Sequence, residues 1–251
     1  MQSLKIIFIL TFVVNANVYG QVIDNFSDND FTNNPVWNGD GGKFMINAGK
    51  LKLQGPAVSE SAFLSTPSIA IHNASWEFYL QMDFTPSSTN FAKIYLTSDR
   101  SNLNGALNGY FIKVGNTSRD VCLYRQNGTT ETKIVDGTDD RVNATIVKIK
   151  IKITRSAVGV WQVYSDAGPT GTYSLEGSFT DVVNTTSAYF GVACVYTATR
   201  SDKFWFDDFI VSGAAVPDTT PPTIQGITVM DEQSIKITWS EKLDATSAQS
   251  A

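Results

Sequence analysis

Alternation of apolar and polar residues with a period of two is the strongest structural signal in the sequence, and it recurs between Phe78 and Asp208. A β-strand turns successive side chains to opposite faces, so this period predicts strands with one buried and one solvated face. The clearest apolar sets are Phe78, Leu80, Met82 and Phe84 in one stretch and Val147, Ile149, Ile151 and Ile153 in another. None of these stretches has a helical period, so the chain is predicted to be all-β.

Turn-forming residues separate the strand-like stretches. Further strands are predicted at 93–98, 110–115, 121–126, 160–165 and 188–196, and pairs such as Asn127-Gly128 and Gly168-Pro169 lie between stretches. Such residues end strands because they favour turns. Many strands joined in this way predict an antiparallel sandwich or barrel. After Asp207-Asp208 the large apolar residues change parity, which predicts a β-bulge.

The chain divides into four predicted segments. Residues 1–20 combine one lysine, an apolar run and a small-residue end at Gly20, which is typical of a cleaved signal peptide. Residues 21–213 form the predicted β-sandwich, and the proline-rich stretch 214–222 is a linker. Residues 223–251 predict two short strands, which are too few to bury a core and indicate a truncated second domain.

Composition argues against a nucleic-acid partner. The formal net charge is −5, and the densest lysine run, Lys148, Lys150 and Lys152, lies on one face of a predicted strand. A phosphate backbone needs a clustered basic footprint, whereas this pattern is typical of a solvated strand face. No segment beyond the signal peptide is long and apolar enough to span a membrane.

Two cysteines, Cys122 and Cys194, lie within predicted strands. Export permits a disulfide between them, and buried free thiols are the equal alternative. Neither cysteine has the spacing of a zinc site.

Several stretches resemble a known family. These are VIDNFSDNDFTNNPVWNGD, YLTSDRSNLNGALNGYFIKVG, VCLYRQNGTTETKIVDG and TRSDKFWFDDFIV. They resemble the N-terminal jelly-roll domain of secreted bacterial surface proteins, a domain similar to concanavalin A-like and laminin G-like sandwiches. PPTIQGITVMDEQSIKITWSEKLDATSA resembles the start of a bacterial Ig-like domain, which often follows in such proteins and is sometimes accompanied by a lamin-tail domain. The resemblance implies an antiparallel jelly-roll sandwich, and secretion or display on the outer surface of a Gram-negative bacterium.

The fold does not decide between lectins, adhesion modules and glycoside hydrolases, so function must come from the site. The Glu-x-Asp-x-x-Glu strand of laminarinase-type enzymes is absent, and Glu77 and Asp83 are too far apart along their strand to replace it. His72 is the only histidine and lies in a polar turn, without a Gly-x-Ser-x-Gly elbow. The sequence therefore predicts no enzyme.

Sugar recognition needs an aromatic face for pyranose C–H groups and planar polar groups for hydroxyls. The candidate ligand-binding residues are Tyr95, Asn102, Asn104, Asn108, Tyr110, Tyr124 and Arg125. The alternative is that the tyrosines pack beneath loops and that Arg125 pairs with a carboxylate. Trp37, Trp76, Trp161 and Trp205 are predicted to be core residues.

Calcium is the one cofactor that the sequence suggests. In a jelly roll the first and last strands are neighbours, which would gather Asp24, Asp28, Asp30, Asp207 and Asp208. Loop 99–104 is a second candidate, since calcium takes carboxylate and amide oxygens. The alternative is that these side chains only cap turns.

The sequence thus favours a secreted, non-catalytic recognition module, with a polysaccharide or cell-surface glycan as partner. Two alternatives stay open: a structural or adhesive spacer that binds a surface protein, and an accessory domain of an exported hydrolase.

Overall fold

The computed structural model describes residues 22–217, 220–232 and 234–241, so the predicted signal peptide lies outside the described residues. The strands are β1 Val22–Asp24, β2 Asn38–Gly39, β3 Phe44–Asn47, β4 Lys50–Leu53, β5 Glu60–Pro67, β6 His72–Met82, β7 Phe91–Ser98, β8 Leu107–Gly115, β9 Asp120–Gly128, β10 Thr130–Val135, β11 Val147–Arg155, β12 Val160–Ala167, β13 Ser174–Thr180, β14 Tyr189–Tyr196, β15 Phe204–Ala214, β16 Ile224–Val229 and β17 Ile235–Trp239. Two short 3-10 helices cover Gly41–Lys43 and Ala198–Arg200. The all-β prediction is confirmed.

Two antiparallel sheets form the main unit. The first has the order β13-β12-β11-β6-β15-β4-β3, with β1 also paired to β15, and is called the eight-stranded sheet. The second has the order β10-β9-β8-β7-β14-β5-β2 and is called the seven-stranded sheet. Strands distant in sequence are neighbours in both sheets, as the jelly-roll expectation requires.

The alternating pattern decides which side of each sheet is buried. In β6 and β11, Leu80 faces Ile149 and Phe78 faces Ile151 across the ladder, and all four side chains are fully buried. From the seven-stranded sheet, Ile94, Ile112 and Leu123 join the same core. One continuous core therefore fills the space between the sheets.

Strand β15 carries the predicted bulge. Its register against β6 shifts between Asp207 and Ile210, and Asp208 has a φ of 53°. A positive φ at a non-glycine residue is characteristic of such an irregularity. The bulge lets Phe206 and Phe209 both enter the core although they are three positions apart.

The chain divides into two compact units, with residues up to Val216 in the sandwich. Beyond it, β16 and β17 form a separate two-stranded antiparallel ribbon. No helix among the residues that the structure describes is long and apolar enough to cross a membrane.

Candidate functional site

The outward face of the seven-stranded sheet carries a row of aromatic rings. Tyr95 of β7, Phe111 of β8 and Tyr124 of β9 are cross-strand partners, and they alternate with residues that enter the core. The ring centroids of Tyr95 and Phe111 are 5.1 Å apart, and those of Phe111 and Tyr124 are 5.2 Å apart with nearly parallel planes. Tyr95 and Phe111 are buried, whereas Tyr124 is half-buried at the rim. This row is the floor of a second, smaller apolar cluster.

A loop covers part of that floor. Residues 99–108, which comprise the loop after β7 and the first two residues of β8, are called the capping loop; they place Leu103 at 2% exposure in the same cluster as Tyr95 and Phe111. Leu103 reaches close to Gly191 of β14, where an added Cβ would lie 2.6 Å from Leu103 Cδ1. The side chain of Gln126 donates to the carbonyl oxygen of Gly105 at 2.8 Å. The burial of Leu103 and the hydrogen bond from Gln126 to Gly105 therefore hold the capping loop against the sheet.

The capping loop presents three exposed asparagines. Asn108 is fixed by Asp99, whose two carboxylate oxygens accept from its backbone N–H at 2.8 Å and its side-chain amide at 2.9 Å. Asn102 Oδ1 accepts from the backbone N–H of Asn104 at 2.9 Å. Asn104 Oδ1 accepts from the Ser61 hydroxyl at 3.3 Å. The side-chain amide N–H groups of Asn102 and Asn104 face solvent on a fixed backbone and can serve as hydrogen-bond donors.

Two lysines lie over the aromatic rings. Lys93 and Lys113 are direct cross-strand partners, with Lys93 Nζ 4.5 Å from the Phe111 centroid and Lys113 Nζ 4.0 Å from that of Phe91. Lys93 forms an ion pair with Glu131, while the described residues offer Lys113 no such partner. Burial, and then the charge of Lys93, lower the pKa of Lys113. The rings thus stabilise two neighbouring cations.

Two of the predicted ligand residues are engaged by an internal carboxylate, that of Asp181. Tyr110 is fully buried with its ring centroid 4.5 Å from that of Trp161, and its hydroxyl donates to Asp181. Arg125 forms an ion pair with the same carboxylate, which is the alternative that the sequence left open. Burial, followed by the hydrogen bond to Asp181, raises the pKa of Tyr110. Tyr110 is therefore a core residue, and Arg125 makes the carboxylate contact that the alternative predicted.

The predicted calcium residues at the chain termini of the sandwich do come near each other, since β1 pairs with β15. Asp24 accepts from the backbone N–H of Phe26 at 2.9 Å and from Trp37 Nε1 at 2.8 Å. Asp207 forms an ion pair with Lys50. Each of these carboxylates already has a donor or a cation, and the described residues place only Asp120, Cys122 and Asp136 close enough together to form a group of three metal ligands.

The other predicted calcium residues are engaged in the same way. Asp208 pairs with Lys150 at 3.0 Å. Asp28 accepts from the backbone N–H of Asp30 at 3.1 Å, and Asp30 accepts from the backbone N–H of Thr32 at 2.7 Å. These are the turn-capping contacts of the alternative interpretation.

The outward face of the eight-stranded sheet holds residues that the sequence reasoning missed. Trp205, predicted to be core, is half-buried on this face, and its Nε1 donates to Asp83 Oδ2 at 2.8 Å. Gln81 also donates to Asp83, and Tyr79 donates to Gln81. A cavity of about 280 Å³ lies beside the β15 bulge, lined in part by Glu77. Alternation in β15 could have revealed Trp205, because it lies between the inward residues at 204 and 206.

Both cysteines are free and buried, so the disulfide alternative is wrong. Cys194 lies in the main core, whereas Cys122 lies on the opposite side of the seven-stranded sheet, beside Asp120 and Asp136. Oxygen or sulfur atoms of Asp120, Cys122 and Asp136 lie within 4.8 Å of one another, and Lys133 Nζ is 2.6 Å from Asp136 Oδ1. Burial raises the pKa of both thiols, which keeps them protonated.

Comparison with known proteins gives the class of fold. No protein-family model and no curated protein matches the sequence. The fold resembles that of the VIP36 exoplasmic/lumenal domain in its Ca2+/Man3GlcNAc-bound form, at 14% identity and a TM-score of 0.57 over 80% of this chain and 90% of that one. It also resembles the Emp47p carbohydrate recognition domain, at 10% identity and a TM-score of 0.58 over 78% and 96%.

A bacterial structure is similar as well. The carbohydrate-binding module CBM66 from Bacillus subtilis has 13% identity and a TM-score of 0.50, over 70% of this chain and 95% of the module. At these identities the likeness shows the fold, which is the concanavalin A-like jelly roll shared by such lectin domains. The expected fold is therefore confirmed.

Proposed function

We propose that this chain is a non-catalytic glycan-binding module and that the glycan contacts the capping loop above the seven-stranded sheet. The observation that carries the proposal is the seating of this loop, which holds the exposed amides of Asn102 and Asn104 on a fixed backbone. Pre-ordered polar groups bind hydroxyls without the entropy cost of ordering a loop. The half-buried ring of Tyr124 supplies an apolar rim for sugar C–H groups.

The similar structures support this choice of ligand class. Two of them are titled as forms bound to mannose-containing sugars or as carbohydrate recognition domains, and one as a carbohydrate-binding module. One of these titles names a neutral mannose-containing sugar, and of the two lysines over the rings Lys93 is paired with Glu131 whereas Lys113 has no ion-pair partner among the described residues. We therefore assign neutral hexose-containing glycans, with oligomannosides as the first to test and acidic glycans as the comparison.

The two carboxylates considered for hydrolysis, Glu77 and Asp83, are both engaged in hydrogen bonds. Asp83 accepts from both Gln81 and Trp205, and Glu77 accepts from the Tyr173 hydroxyl at 3.0 Å. Both are on the opposite sheet from the capping loop. The proposal accordingly contains no bond-breaking step.

Calcium has no place in this proposal, although similar lectin domains are titled as calcium- or potassium-bound forms. In the capping loop both oxygens of Asp99 accept from Asn108, and Asn102 Oδ1 caps the backbone of Asn104. These contacts are the turn-capping role that the sequence left open as the alternative. The setting that we propose for the module, export to a bacterial surface with a further domain after the linker, rests on the sequence resemblance.

The test is thermal unfolding of the purified chain in the presence of a panel of neutral and acidic oligosaccharides. A ligand that binds only the folded chain raises the midpoint. We expect an oligomannoside or another neutral glycan to raise it, and Asn102→Ala with Asn104→Ala to weaken binding by about tenfold. Asn143→Ala, at an exposed asparagine outside the loop, is the matched control. No shift with any sugar would refute the proposal.

A further inference from the structure

The carboxylate cluster at the edge of the seven-stranded sheet contains a cation of its own. Asp120 at the start of β9 is completely buried, and its Oδ1 accepts from the Asn116 amide at 2.7 Å. Its Oδ2 is also buried and has no hydrogen-bond partner. The nearest cation is Lys133 Nζ, at 3.8 Å from that oxygen and at 2.6 Å from Asp136 Oδ1. The ammonium group thus lies between the two carboxylates.

The same three residues would be a ligand set for a divalent cation. Asp120, Cys122 and Asp136 offer two carboxylate oxygens and one sulfur within 4.8 Å of each other, which is the donor chemistry and count of an open zinc site. The thiol of Cys122 instead donates to Asp136 Oδ1 at 3.4 Å, so the sulfur also takes part in the metal-free arrangement. A metal ion and the Lys133 ammonium would compete for the same oxygens.

We infer that the Lys133 ammonium is the resident cation of the Asp120–Cys122–Asp136 cluster and that it replaces a divalent metal at this edge of the sheet. A buried carboxylate oxygen without a hydrogen bond is costly unless a nearby positive charge compensates it. Lys133 is supplied by β10, the outermost strand, and its ion pair with Asp120 joins that strand to β9. The ammonium therefore stabilises the edge without a metal ion.

The test compares thermal unfolding of the wild-type chain, Lys133→Met and Lys148→Met, each with a chelator, zinc or calcium. Lys148 is an exposed lysine on β11 of the other sheet and serves as the matched control. We expect the wild-type midpoint to be the same in all three solutions. Lys133→Met should lower the midpoint by at least about 5 °C relative to Lys148→Met, because Asp120 loses its compensating charge. Adding Asp120→Asn to Lys133→Met should restore part of the loss.

Two results would overturn the inference. One is equal midpoints for the two lysine variants. The other is a wild-type midpoint that rises with zinc or calcium and loses this response on Cys122→Ala, because the cluster would then hold a metal. The midpoints are measured without sugar, so this experiment tests the inference independently of the glycan proposal.

Discussion

Replacement of Leu103 by alanine tests whether the capping loop is seated on the sheet. Leu103 is 2% exposed and packs in the small cluster with Tyr95 and Phe111. Leucine-to-alanine changes in cores cost about 2–5 kcal/mol, the loss being smallest where the site can collapse. The loop lies at the surface and can move inward, so we expect the free energy of unfolding to fall by about 2–3 kcal/mol. For a chain of this size that corresponds to a midpoint about 5–10 °C lower.

The assay is urea unfolding followed by tryptophan fluorescence, with Leu175→Ala as the control. Leu175 is 53% exposed, and its truncation should change the free energy of unfolding by less than about 0.5 kcal/mol. Leu103→Ala should also weaken glycan binding, because the asparagines of the loop lose their fixed backbone. An effect of Leu103→Ala no larger than that of Leu175→Ala would refute the seating of the loop.

Three further predictions follow from the buried and capping groups. Tyr110→Phe should lower the free energy of unfolding by about 1–3 kcal/mol, since Asp181 Oδ1 loses one of its two donors and the backbone N–H of Asn184 loses its acceptor, and should leave glycan binding unchanged in a calorimetric titration. The backbone N–H and hydroxyl of Thr32 lower the pKa of Asp30 to about 2. Its stabilisation is therefore complete above its ordinary pKa and disappears as the pH falls through about 2, so wild-type and Asp30→Asn midpoints should converge on acidification. A thiol reagent should titrate both cysteines only after unfolding, and reduction should not change the midpoint; rapid reaction of the folded chain would contradict this.

The long alternating stretches made much of the sandwich predictable. Strands β6, β11 and β12 and the bulge in β15 follow from period-two patterns, because the eight-stranded sheet to which they belong has one buried and one outward face. Strands β2, β3, β4, β5, β10 and β13 were not predicted: two to four residues, as in β2, β3 and β4, are too few to show a clear period, and β10 and β13 are exposed over most of their length. Their places depend on pairing with other strands.

The alternation of inward and outward residues along a strand also explains why Tyr110 and Arg125 were poor choices as ligand residues. Tyr110 shares its face of β8 with Ile112 and Val114, and Arg125 shares its face of β9 with Leu123, so alternation indicated that both turn inward. The two residues were proposed as sugar ligands only because aromatic and planar polar side chains suit sugar binding. The seating of the capping loop and the place of Lys133 beside Asp120 had no local signal, because both arise from contacts between strands.

The most direct test of the account is a nuclear magnetic resonance titration of the isotope-labelled chain with an oligomannoside. We expect saturable shifts of the backbone amides in residues 99–108 and of Tyr124, together with loss of these shifts in the Asn102→Ala, Asn104→Ala variant. Shifts confined to the outward face of the eight-stranded sheet, around Trp205, would contradict the assigned site. The absence of shifts with every neutral glycan would contradict the proposed function itself.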